Sequence, residues 1–224
     1  MFIGHFALGF AAKRVAPRTS LGTLFAAPAL ADLLWPVFLL LGWEHARVVP
    51  GPNPLLVLWL DDYPISHSLL TLIAWGAVFG LLYRARTGYG RGAVVIALLV
   101  VSHWVLDFVT HRPDMPLYPG SAEVGLGLWN SVAGTVFVEG LLFIAGVAIY
   151  ARVTRPRDGI GRWGLWGLAL LLAASYVLSL IAPTPTDQRA LAIGSLVGGG
   201  LIVVLGMWVD KHREALTSGR PAPQ

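Results

Sequence analysis

Six apolar runs, each near the length of a membrane crossing, limit the fold of this chain more than any other feature. They cover residues 21–42, 64–84, 90–110, 129–152, 162–182 and 188–210. A spanning helix needs about 20 mostly apolar residues, and inside lipid every backbone N–H and C=O must find its partner within the protein. Charged residues make up 12% of the chain, against about 25% in a soluble domain. These features predict an all-α polytopic membrane protein with about six transmembrane helices. One helical domain is expected over residues 1–212, with a disordered cytoplasmic tail over 213–224.

The basic residues set the orientation. Thirteen of the 16 Lys and Arg residues fall in the N-terminal stretch, the 84–91 and 152–162 connections and the C-terminal tail. The other three, Arg47, Arg112 and Arg189, lie one to each intervening loop. Cytoplasmic loops carry the excess of cations, so both termini are expected in the cytoplasm and the loops 43–63 and 111–128 outside. The N-terminal "MFIGHFALGFAAKRVAPR" places its cations after its apolar part, the reverse of a cleavable signal. Up to Lys13 it is too short to span, which predicts a short amphipathic or half-inserted helix.

With no cysteine, the chain has no disulfide, thiolate metal ligand or cysteine nucleophile. Its net charge of +4 belongs to cations flanking apolar runs, so the expected partner is the lipid bilayer and not nucleic acid. The last run carries "GSLVG", whose Gly194–Gly198 pair suits close helix packing within the monomer, or an oligomer seam.

Ionisable residues inside apolar runs are costly and point to function. In "SHWVLDFVTH", four-residue steps put His103, Asp107 and His111 along one helix edge, with Thr110 beside them. An imidazole nitrogen and a carboxylate oxygen at i and i+4 can ligate one Zn²⁺-like ion. Counted by helical rise from the outer ends, Asp107 and His67 lie about 5 Å down, His103 about 10 Å, and Asp32 and Glu139 about 15 Å. One outward-facing cleft accommodates all five.

Asp32, in "PALADLLWP", has a proline four residues to either side. Each proline deprives the carbonyl four residues back of its donor, which frees those of Leu24 and Asp32. In "DDYPISHSLL", Pro64 suits the first helical position and leaves free N–H groups beside Ser66, His67 and Ser68, where an anion is attracted. His111 and Arg112 at the exit of the third run, and Asn130 at the head of the fourth, are further candidates for holding an anionic substrate. His5 joins the cluster if the N-terminal segment dips into the bilayer; with Lys13 at the surface it would lie about 12 Å deep.

At these residues the chain resembles the YdjM-type family of membrane-bound, metal-dependent hydrolases of bacterial inner membranes. The similar elements are "GHFALG", an aspartate in the first long run, "SHSLL" opening the next, and "SHWVLDFVTH" before a proline, spread over about residues 4–118. The resemblance implies His5, Asp32, His67, His103 and Asp107 as metal-site residues. Two departures stand out. The family often carries Asp-x-Asp where this chain has Asp32 alone, and an Arg and a Thr shortly before the His-Ser, where this chain reads "DDYPISHS".

The expected function is a membrane-embedded hydrolase at the outer face of the inner membrane. A divalent metal, zinc before others, is expected on His67, His103 and Asp107, with His5 or Asp32, lowering the pKa of water. Asp32 or Glu139 is the expected proton acceptor. Ser66, Ser68, His111, Arg112 and Asn130 would hold the substrate, a lipid or lipid-linked ester or phosphoester. Two other functions use the same residues. A proton or metal-ion transporter needs a polar path on to the cytoplasmic side, where the sequence offers little beyond Ser175 and Tyr176. A non-catalytic scaffold would use the His–Asp pairs to specify helix packing.

Overall fold

A computed structural model describes residues 1–183 and 187–216. The chain runs through α1 (Ile3–Ala12), α2 (Leu21–Ala26) and α3 (Leu30–Leu41), then the antiparallel pair β1 (His45–Val48) and β2 (Leu58–Asp62). The single turn α4 (Pro64–His67) leads into the hairpin α5 (Leu69–Thr87) and α6 (Gly90–Thr110). A second short pair, β3 (Met115–Pro116) and β4 (Glu123–Val124), precedes α7 (Val132–Val153). The rest is β5 (Thr154–Pro156), α8 (Gly159–Ile181), α9 (Gln188–Lys211) and β6 (Arg213–Ala215), with β6 antiparallel to β5.

The five helices α5 to α9 are long and apolar enough to cross a membrane. They leave large apolar side chains such as Phe137, Leu170 and Ile181 at least 70% exposed, as faces turned to lipid do. The architecture is the expected all-α polytopic one, with a difference at the first run. Residues 21–42 form two helices, because the chain leaves helical geometry between Ala26 and Leu30, on either side of Pro28. Pro36, by contrast, is accommodated inside α3. The second run is also broken. Its turn α4 starts on Pro64 and ends at Ser68, which turns extended and caps α5 by accepting from the Thr71 N–H at 3.3 Å.

The short N-terminal helix is α1, which is buried along most of its length inside the bundle. Close backbone approach makes room for it. A Cβ on Gly146 of α7 would strike the Ala7 backbone, and one on Gly9 would strike the Leu24 carbonyl. Two apolar clusters flank the polar residues. One gathers Trp35, Tyr63, Leu72, Val100 and Trp104; the other gathers Phe6, Phe10, Phe25, Tyr150 and Leu172. A Cβ added at Gly194 or Gly198 would meet no atom within 4 Å among the described residues, so neither glycine is needed there for a close helix contact.

The cation-rich connections collect at one end of the bundle. Lys13 pairs with Asp210 at 2.6 Å, Arg18 lies over the Tyr89 ring, and Arg213 donates to Thr154 at 3.0 Å. At the other end Arg47 pairs with Asp61, Tyr63 donates to the Asp114 carbonyl, and Asn53 donates to that of Trp129. Met1 lies inside the bundle, while Lys13, at the far end of α1, reaches the basic end. Of the expected tail, Arg213–Ala215 form β6 and Leu216 bonds Val153; residues 217–224 lie outside the described residues.

Two measurements check this arrangement. Single cysteines at Gly51 and Gly159, where an added Cβ meets no neighbour, report sidedness in this cysteine-free chain. An impermeant maleimide is expected to label Gly51→Cys in intact spheroplasts and Gly159→Cys only after permeabilisation. Gly146→Ala is expected to lower stability by about 1–3 kcal/mol through overpacking against α1, despite the helix propensity gained. Gly167→Ala, at an open position, is expected to be neutral or stabilising in the same denaturant titration.

Candidate metal centre

The i, i+4 spacing of α6 delivers the first part of the site. His103 and Asp107 are buried, with His103 Nε2 at 3.0 Å from Asp107 Oδ2. His111 follows the last residue of the helix, and its Nε2 lies 3.6 Å from the same oxygen. From the other side α1 brings His5, whose Nε2 lies 3.1 Å from Asp107 Oδ1 and whose ring stacks on His103 at 4.0 Å. The Met1 amine also donates to Asp107 Oδ1. One carboxylate is thus enclosed by an amine and three imidazoles.

The break between α2 and α3 supplies the next contact. The Pro28 carbonyl lies there, and His103 Nδ1 donates to it at 2.7 Å. A carbonyl can only accept, so Nδ1 carries a proton, and in the neutral ring Nε2 presents a lone pair. That atom is buried and without a hydrogen-bond partner among the described residues, although Asp107 Oδ2 lies 3.0 Å away and Asp32 Oδ1 4.0 Å away. A lone pair facing two carboxylates is a poor arrangement unless a proton or a cation stands between them.

Asp32 is carried by the first turn of α3, and its Oδ1 lies 3.6 Å from His67 Nε2. Its side chain is 52% exposed, against 4% for His67 and 0% for His103. Asp32 is therefore where the cluster reaches the protein surface. His67 ends α4, and its Nδ1 lies 2.6 Å from Ser66 Oγ. Ser66 Oγ in turn donates to Glu44 Oε2 at 2.6 Å, while Glu44 Oε1 accepts the N–H groups of Ile65 and Ser66, both at 2.8 Å. Burial pushes the Glu44 carboxyl above its ordinary range, and the bonds from Ser66 and Ile65 only partly oppose this.

The remaining candidates divide. Ser68 caps α5 instead of facing the cluster. Arg112 donates to Asp114 and to the Leu58 carbonyl, with its guanidinium over Trp59. His111 bonds Asp114 at 2.9 Å and packs on Trp129, and Asn130 is exposed. Glu139 is buried, and its Oε2 accepts from the N–H groups of Phe2 and Gly4 at 2.8 and 3.1 Å, capping α1. Glu44 was not foreseen. It sits in a polar connection 22 residues before Ser66; the only clue was the set of free N–H groups after Pro64, which suggested a substrate anion where the chain's own carboxylate lies.

The donor atoms suit a divalent cation. They form two groups, His5–His103–Asp107 and Asp32–His67–His103, with ligand atoms within 4.8 Å of one another in each. Ligands about 2.0–2.2 Å from a tetrahedral zinc stand about 3.4 Å apart, close to the 3.6 and 4.0 Å separations around Asp32. The trio His67–His103–Asp107 does not form one group; His103 is common to both, and its single Nε2 lone pair can serve one ion.

Helical spans with apolar outer faces and a buried His–Asp cluster define a polytopic membrane protein. The family model described as YdjM inner membrane protein matches residues 63–186, just over half of the chain, and the chain belongs to that family. It is a multi-pass protein of the inner membrane. The match includes His67, His103, Asp107 and Glu139, and it begins after His5, Asp32 and Glu44. No curated protein and no solved structure matches the chain.

The cap formed by Glu139 is testable. Glu139→Leu is expected to strand two buried N–H groups at about 1–3 kcal/mol each, whereas Glu139→Gln keeps an acceptor and loses much less. Thermal melts of the two variants against the native chain measure the difference.

Proposed function

We propose that this chain is a membrane-embedded, metal-dependent hydrolase. The reading is carried by one observation: the Nε2 atoms of His67 and His103 meet Asp32 at the one point where the buried cluster opens outward. His67, His103 and Asp32 would hold the cation. Asp107, enclosed by Met1, His5 and His111, stands behind His103 and keeps negative charge next to it. When bound, a divalent ion such as zinc supplies a Lewis acid and lowers the pKa of water towards neutrality.

The chain's own groups account for the rest. Asp32 Oδ1 faces both imidazoles, which leaves Oδ2 to take a proton from an attacking water. Glu139, committed to the start of α1, is not needed as a base. The substrate class is a lipid or lipid-linked ester or phosphoester, because the site opens from a bundle whose outer faces are apolar. The end of the bundle poor in Lys and Arg, and with it the opening, faces outward by the distribution of cations.

Metal content tests the reading. The purified chain is expected to carry about one tightly held divalent ion, lost in His103→Ala and His67→Ala and retained in Arg112→Ala. Chelation should lower the melting temperature, and zinc should restore both it and headgroup or acyl release from inner-membrane lipid extract. A native chain that takes up no metal and melts identically with and without chelator would reduce the cluster to a packing device.

A further inference from the structure

We infer that Glu44, acting through Ser66, is a positioning residue that sets which nitrogen of His67 is free. The inference rests on the metal-centre reading for its consequence, but the tautomer it assigns can be measured without metal. Glu44 is fully buried in the connection after α3, and no cation among the described residues pairs with it. Every hydrogen bond its carboxylate accepts among the described residues comes from the α4 turn: two backbone N–H groups to Oε1 and the Ser66 hydroxyl to Oε2.

The proton count then runs in one direction. A hydroxyl has a single proton, and with Glu44 ionised that of Ser66 goes to its Oε2. Its oxygen can only accept at its other contact, the 2.6 Å approach to His67 Nδ1. Nδ1 therefore carries the imidazole proton, and Nε2, 3.6 Å from Asp32 Oδ1, keeps its lone pair. His103 reaches the same state by donating Nδ1–H to the Pro28 carbonyl. The two rings are prepared alike by unrelated devices, one a side-chain relay and the other a stranded carbonyl. A partner on the second nitrogen fixes the orientation of a ligating histidine and raises its basicity.

A plain capping role for Glu44 accounts for Oε1 but not for Oε2, and substitutions separate the two. In Glu44→Gln the side-chain carbonyl must stay on the two N–H groups, since the amide would oppose donor to donor. The amide then donates to Ser66 Oγ, whose proton turns to His67 Nδ1, and the ring is forced to the Nε2–H form. Ser66→Ala leaves the cap intact and removes the relay, while Ser66→Thr keeps the hydroxyl.

The test is solid-state NMR of the ¹⁵N-histidine-labelled full chain in liposomes, metal-free and above the ordinary histidine range, with the His67 signals identified by their loss in His67→Gln. The native chain and Ser66→Thr are expected to show Nδ1–H, Glu44→Gln to show Nε2–H, and Ser66→Ala to lose the fixed preference. Zinc titration of the same samples is expected to weaken about 10- to 100-fold in Glu44→Gln and Ser66→Ala. A native Nε2–H ring, or a tautomer and zinc affinity unmoved by both substitutions, overturns the inference. If the tautomer follows this pattern but the native chain binds no zinc, the positioning role stands and the metal-centre reading falls.

Discussion

The need to enclose the Asp107 carboxylate organises the centre of this protein. An ionised carboxyl cannot be left isolated at a low-dielectric position, where its desolvation costs on the order of tens of kcal/mol, and α6 alone offers it only His103 and His111. The missing donors come from α1, through His5 and the Met1 amine. Bringing them close requires a short helix in the middle of the bundle, and that helix fits because Gly146 and Gly9 let backbones touch. The N–H groups at its start, which have no partner within the helix, are then met by Glu139. Polar demand, glycine packing and helix capping are parts of one solution.

The two breaks in the helices follow a related rule. Irregular backbone at membrane depth is tolerated where protein buries it and supplies partners. At the break after α2 the Pro28 carbonyl takes the His103 Nδ1–H. At the start of α4 the N–H groups of Ile65 and Ser66 take the Glu44 carboxylate. Both breaks therefore serve the cluster: each holds one imidazole with its outer nitrogen engaged and its inner nitrogen turned towards Asp32.

Much of the scaffold was legible from local signals. The runs at 90–110 and 188–210 coincide with α6 and α9 to within a residue, because burial in lipid makes hydropathy an almost complete description of a straight span. The segregation of cations named the end of the bundle where Lys13, Arg18 and Arg213 now meet Asp210, Tyr89 and Thr154. The run 21–42 was read as one helix, since hydropathy does not register a break that another segment repairs. Depth on a helix says nothing of which neighbour a side chain faces, and α1 took the Glu139 carboxylate.

Sequence alone determined that the chain is a helical membrane protein with ionisable residues inside its apolar runs, because spacing and hydropathy act within a single helix. The set His5, Asp32, His67, His103 and Asp107 came from the family resemblance. Only the tertiary structure decided that His103 is shared between two donor groups, that Asp32 is the exposed member of those groups, and that Glu44 stands behind His67. Those outcomes depend on contacts between segments far apart in the chain. A hydrogen bond across the bundle depends on where two backbones come to rest, and no local pattern in either segment records it.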